Sequence, residues 1–561
     1  MWKTFPHTRQ QSTLCQGHQP RWEKAGAKRP DVSYYIRMTM MRSKLSMPLV
    51  IGVLLVLVGL FLRLYNRDQA MYYMDDQGDL LLTAHKIIYS HHTPLAGPII
   101  TFEGGSIHPL LYYFVAALEV VSADPRGISS EYIILSVLSG LLVGYYAFLR
   151  FDVWTGIWTL FFVMTSASMI EHGRSIWNPF PTMIAVCAYL AVTEVAFRKK
   201  NLWVYCFGVL LYVFAIAFYP TPALLALFVL MRSFSHLRSF GGLARRYGAL
   251  LSFLLLGGMF TAVFGPWVMQ SVSLQQTNTL SIIRQATHLA TWYQATTLAF
   301  VFATTVVQDV VRIWTVTPGG EAGRVLRVLI GAIVVVTSIM GSQKTFVSSF
   351  KGFFRSGYHW AFLGFVLPAL FGMQMPAYRF LPLYPIIFVL CARWVHLWII
   401  QHNNPRRGII FFALFIFVVG NAASWWTTTI THPRREYEAA QVLMSTIQKD
   451  MVYRKTQTRD IGVHLFRPED QYDFFAEPLY YLLHVSINYP VKFVLLGNEP
   501  DRRVRENHPL VYLVCDKFDE AKVLSECVGP YQLRWKNYVI REVRALSKTT
   551  NVVVFEKTPG V

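Results

Sequence analysis

The sequence predicts an α-helical polytopic membrane protein carrying a small C-terminal α/β domain. Of 561 residues, 53% are hydrophobic and 15% charged, with mean hydropathy +0.35, whereas water-soluble domains carry about 25% charged residues. The formal charge of +20 is concentrated before residue 427, where 33 Lys and Arg stand against 15 acids; the last 135 residues are nearly balanced, with 19 basic and 17 acidic. Basic residues between apolar segments report membrane orientation rather than nucleic-acid binding. Finally, runs long enough to cross about 30 Å of hydrocarbon as helix recur along the chain.

The first 47 residues are basic and have no apolar core. They read as a disordered cytoplasmic arm or as an extension upstream of the true start, since Met38, Met40, Met41 and Met47 lie near their end. Residues 48–426 form the membrane domain, with eleven expected spans: 48–64, 131–149, 153–171, 180–197, 203–219, 221–237, 248–270, 324–340, 358–374, 379–398 and 408–426. Charge decides the status of 107–123. If that stretch does not span and the N-terminus is cytoplasmic, the basic clusters at 198–200, 232–246, 344–355 and 393–407 all face the cytoplasm, as the positive-inside tendency requires. It is therefore expected to lie in the outer interface, and the same parity keeps 292–308 from spanning. Three outer pieces result: 65–130, 271–323 and the tail 427–561.

The tail alternates expected helices (435–451 and 518–528) with strand-like runs VKFVLLG, PLVYLVCD and NVVVFEK, as an extracytoplasmic accessory α/β domain would. Six cysteines make neither a disulfide framework nor a CxxC site, and Cys515 and Cys527 are the pair able to bridge.

Acids partition opposite to bases. Asp68, Asp75, Asp76 and Asp79 crowd the stretch just outside the first span. Carboxylates beside a bilayer are costly unless paired or used. Asp79, Thr83 and Lys86 follow at i, i+4 and i+7 and share one helical face, presenting a base and a cation together. That combination suits a phosphorylated lipid substrate, where a carboxylate takes a hydroxyl proton and a cation steadies the leaving phosphate. At the same expected surface lie Arg174, Trp177 and Asn178 in EHGRSIWNPFPT, and Arg379 in MPAYRFLPLYP. Guanidinium binds phosphate bidentately.

DDQGD with LLTAHKII, PLAGP, HPLLYYFVAAL, R-x-x-WNPFP and YRFLPLYPIIFVLCA, in that order over roughly residues 48–400, resembles the GT-C membrane glycosyltransferases. The likeness is to the bacterial branch related to glycosyltransferase family 39 and the dolichyl-phosphate-mannose protein mannosyltransferases. It implies inverting transfer of a hexosyl or pentosyl group from a polyprenyl-phosphate donor to a protein, glycan or lipid acceptor outside the membrane. By resemblance Asp76 is the first choice for the base, with Asp75 and Asp79 beside it. Arg174, Arg379 and Lys86 attend the carrier phosphate; Trp177, Asn178, His108 and Tyr378 contribute to substrate binding. Some relatives use a divalent metal, and Asp76 and Asp79 leave that open; His85, His91, His92 and His108 show no compact zinc spacing, so no metal ligands are assigned. A secondary transporter or lipid flippase is the competing class. Glu119 and Glu194 are the only acids well inside apolar runs, and no internal repeat is evident.

Overall fold

The computed structural model describes residues 32–239 apart from Met74, His92, Leu95, Ala96, 101–104 and Ile107. Beyond these it describes 250, 254–261, 357–361, 381–401, 404–431, 436–454, 461–466, 481–482, 485–486, 510–516, 523–528, 537–545 and 550–558. The expected span 324–340, most of 248–270 and 358–374, the loop 271–323 with its helix 292–308, the run VKFVLLG, Tyr378 and Arg379 lie outside the described residues. The chain divides into two units, Met1–Val50 and Ile51–Val561; in the first, residues 32–50 are helical.

The described part is mostly helical. Helix α1 (Val32–Leu64) precedes a short α2 (Arg67–Ala70), then α3 (Asp75–Tyr89), a two-residue pairing of β1 (Ile99–Ile100) with β2 (Gly105–Ser106), and α4 (Leu110–Glu119). The bundle continues with α5 (Pro125–Arg150), α6 (Val153–Thr165), α7 (Ala167–Gly173), α8 (Phe180–Lys199), α9 (Leu202–Phe218), α10 (Ala226–Ser239), α11 (Tyr384–Gln401) and α12 (Asn404–Trp426). Among the described residues four helices are long and apolar enough to cross a membrane, or five if α6 and α7 form one bent span. Ten residues make α4 about 15 Å long, half a hydrocarbon core.

Local chemistry explains where the helices start. Asp124 caps α5 by accepting from the Arg126 amide at 2.8 Å, with Pro125 next. Asp152 caps α6 through the Thr155 amide and Asn201 caps α9 through that of Val204. Such caps satisfy amides that have no partner within the helix. Gly144 and Gly156 let α5 and α6 cross closely: a Cβ on Gly156 would sit 2.9 Å from the Gly144 carbonyl oxygen.

The expected span 153–171 is broken. Ser166 is extended and turns α7 by 62° from α6. The break strands carbonyls at the end of α6, and Arg63 meets them, donating to Val163 O at 3.2 Å and Met164 O at 3.1 Å. On the other side Asn421 Oδ1 accepts from the Ala167 amide at 2.6 Å. The kink is thus held by two other helices, as buried backbone groups in an apolar medium must be.

In the tail, α13 (Glu436–Arg454) precedes a four-stranded sheet of order β3-β4-β6-β5, with β3 (Ile461–Phe466), β4 (Leu510–Asp516), β5 (Tyr538–Ala545) and β6 (Thr550–Lys557). The β3–β4 pair is parallel and the others antiparallel. Alternation along β4 splits its side chains: Leu510, Tyr512 and Val514 join the core that also contains α13 residues, while Val511, Leu513 and Cys515 form a second core with Val523 and Cys527. Cys515 and Cys527 are disulfide-bonded. The helix expected over 518–528 is a single wide turn, Val523–Val528, among the described residues.

Candidate active site

Helix α3 carries the acidic sequence. Asp75 is its first residue, Asp76 is exposed and Asp79 is half-buried one turn on. Apolar residues Leu80, Leu81 and Ala84 are buried, and α3 lies against α4. Across that contact the Tyr112 hydroxyl donates to Asp79 Oδ2 at 2.8 Å. Burial, followed by the Asp79 charge, raises the Tyr112 hydroxyl above its ordinary pKa, so it stays a donor. Lys86 is pulled down by desolvation, with Asp79 opposing that shift. Asp79, Tyr112 and Lys86 are therefore one electrostatic group.

The α7–α8 turn adjoins the start of this helix. Tyr72 stacks on Trp177 with ring centroids 6.2 Å apart, and its amide donates to Ser175 Oγ at 3.2 Å. Trp177 also packs on His172 at 4.6 Å. Asn178 is buried, and its Oδ1 has no hydrogen-bond partner among the described residues. Arg174 is 1% exposed, donating from Nη1 to Thr429 Oγ1 at 2.9 Å, while its carbonyl accepts from Ser129 Oγ. Its guanidinium is thus buried against Thr429 rather than at the surface. His108 caps α4, its Nδ1 accepting from the Leu110 amide at 3.1 Å.

Three groups escaped sequence reasoning. Glu119, 2% exposed at the end of α4, accepts from His85 Nδ1 at 2.5 Å and from the Tyr481 hydroxyl at 3.3 Å, and Tyr481 also donates to Ala123 O. The second is a clasp of Asp124 with Arg126 and Tyr437, whose hydroxyl donates to Asp124 at 2.9 Å. Burial pushes the Asp124 carboxyl up, but hydrogen bonds from Arg126 and Tyr437 outweigh it and hold the group low. Tyr73 meets Tyr437 edge-on at 5.2 Å, so the tail is fastened beside α3. Arg63 is the third. The one signal available was Glu119 itself, an acid within an apolar run, which demands a partner.

Among the described residues no three His, Cys, Asp or Glu side chains gather closely enough to hold a metal ion. The described donor set does not fit one.

This arrangement of a helical bundle, an acidic helix after its first apolar span and a small terminal sheet is similar in fold to a solved structure. ArnT from Cupriavidus metallidurans, crystallised in the apo state, superposes with a TM-score of 0.52 and 12% identity over 90% of this chain and 97% of its own. The oligosaccharyltransferase of Archaeoglobus fulgidus, crystallised with Zn and sulfate, matches at TM-score 0.45 and 12% identity, over 90% of this chain and 72% of its own. No protein-family model matches the sequence. No curated protein matches it either.

Proposed function

We propose that the chain is an inverting glycosyltransferase that moves one sugar from a polyprenyl-phosphate donor to an acceptor on the extracytoplasmic face, with about eleven spans in its membrane domain. The acceptor hydroxyl attacks the anomeric carbon as the bond from that carbon to the phosphate oxygen breaks. Its proton passes to Asp76, and the bonding electrons leave with the polyprenyl phosphate. The observation that carries this reading is the exposure of Asp76 on α3, one turn before Asp79 and the hydrogen bond it accepts from Tyr112.

Asp75 and Asp79 shape the field around the base. Lys86, Arg174 and Arg379 attend the phosphate, Arg174 from within the protein wall, where charge acts strongly. Trp177, Asn178, His108 and Tyr378 shape the sugar pocket. The Cys515–Cys527 disulfide supports an oxidising, extracytoplasmic location for 427–561 with the N-terminus cytoplasmic.

The test is sugar transfer by purified protein from a panel of polyprenyl-phosphate sugars, comparing wild type with Asp76→Asn. Loss of about 10²–10⁴-fold in polyprenyl-phosphate release, with the melting temperature unchanged, is the expected result. Turnover surviving in Asp76→Asn moves the base to Asp75 or Asp79. No turnover with any donor, together with lipid or ion movement in vesicles, hands the protein to the transporter class.

A further inference from the structure

At the end of the bundle remote from α3, three arginines surround one carboxylate. Helix α5 spans 26 residues, about 39 Å, from the Asp124 clasp to Arg150. There Glu194 of α8 is buried, and Arg232 of α10 takes one of its oxygens: Nη2 donates to Oε2 at 2.8 Å, and Nη1 donates to the Tyr146 hydroxyl at 3.0 Å. Arg150 and Arg198 approach the other oxygen at only 3.8 and 4.0 Å, beyond hydrogen-bond reach, with side chains 30% and 52% exposed. Neither makes a hydrogen bond among the described residues. Helix C-termini favour cations, and these residues end α5 and α8, but one carboxylate against three guanidiniums leaves two positive charges in excess.

The level of this cluster is marked by its neighbours. Trp203 and Leu202 are exposed at the start of α9, just after Lys199 and Lys200, while Tyr145 and Phe148 are exposed on the last turns of α5. An exposed Trp beside basic residues at a helix end sits at headgroup depth in a bilayer. Guanidinium forks match phosphate oxygens two at a time.

The geometry points to a second lipid site: Arg150 and Arg198 together bind the phosphate headgroup of an anionic membrane lipid, about 39 Å (the length of α5) from the Asp124 clasp. This site is separate from donor binding and does not depend on the proposed transfer reaction.

Delipidated full-length protein in neutral detergent is titrated with phosphatidylglycerol or with phosphatidylcholine of the same chains, and retained lipid is counted by native mass spectrometry. Wild type retains phosphatidylglycerol preferentially, and each arginine contributes roughly fivefold to that preference. Arg150→Gln/Arg198→Gln abolishes the preference, while Arg541→Gln, an exposed arginine of β5, preserves it. Arg198→Gln alone, at the more exposed position, lowers it roughly fivefold and stands in if the double variant fails to fold. Equal retention of both lipids by wild type overturns the proposal, as does an unchanged preference in Arg198→Gln. Full displacement by an equal concentration of inorganic phosphate overturns the lipid as the ligand's source.

Discussion

Glu119 and Glu194 are each 2% exposed inside apolar helices, yet they are satisfied in opposite ways. Glu194 is met by Arg232, with Arg150 and Arg198 behind it. Arginine stays charged throughout the pH range of a folded protein, so this end of the bundle is held by fixed charge. Glu119 is met by an imidazole and a phenol on a single oxygen, and its Oε2 has no hydrogen-bond partner among the described residues. The contrast teaches where each end's rigidity comes from. The basic end is locked by electrostatics, whereas the acidic end is joined by neutral-capable groups contributed from α3 and from the tail.

The sharpest way to break that comparison is to remove each acid. Glu194→Ala leaves the buried Arg232 guanidinium without its counter-charge, and the expected loss is about 3–5 kcal/mol of stability. A drop in melting temperature, or failure to accumulate folded protein, registers it. Glu119→Ala leaves an imidazole and a phenol, each able to be neutral, for an expected loss of about 1–3 kcal/mol. Equal losses in the two variants would show that Glu119 is held by charge as firmly as Glu194.

The sequence made the acidic stretch legible, because its spacing is local: α3 forms over the residues whose spacing put Asp79 and Lys86 on one face. The caps Asp124, Asp152 and Asn201 are equally local but were not read from it. The Cys515–Cys527 pairing followed from elimination. What escaped depends on contacts far along the chain. The break at Ser166 looks like continuous apolar helix until Arg63 and Asn421, 101 and 254 positions from their partners, are brought to it. Tyr481 reaches Glu119 across 362 positions. Strand β5 was not legible: YVIREVRA alternates in burial but not in polarity, with Val539 and Val543 exposed and Glu542 and Arg544 half-buried.

Alkaline pH separates the two ends without mutation. Burial first, then the Asp124 and Glu119 charges, raise the Tyr437 and Tyr481 hydroxyls above the ordinary tyrosine value. A tyrosine whose pKa is higher folded than unfolded contributes stability that is complete below about pH 10 and is lost as pH climbs through the folded value. The acidic end and its tail are expected to loosen above about pH 10 while the arginine-held end persists. Limited proteolysis of the tail across that range is the readout. The double variant Tyr437→Phe/Tyr481→Phe is expected to flatten the pH dependence; an unaltered profile would place the titrating groups elsewhere.

The smallest effect is the most informative about chemistry. Tyr112→Phe removes the hydroxyl that donates to Asp79 and changes little else, since the ring stays in the α3–α4 contact. Losing one hydrogen bond to a carboxylate costs about 1–3 kcal/mol, and if Asp79 only supports its neighbour, part of that reaches the transition state. The expectation is a roughly fivefold fall in kcat for sugar transfer with donor affinity unchanged. A fall of a hundredfold or more would make Asp79 the base and Asp76 its neighbour, reversing the assignment on α3. An unchanged kcat, with stability lowered, would make Tyr112 and Asp79 a packing contact of the acidic end, comparable to Glu119 with His85, and leave Asp76 to act without them.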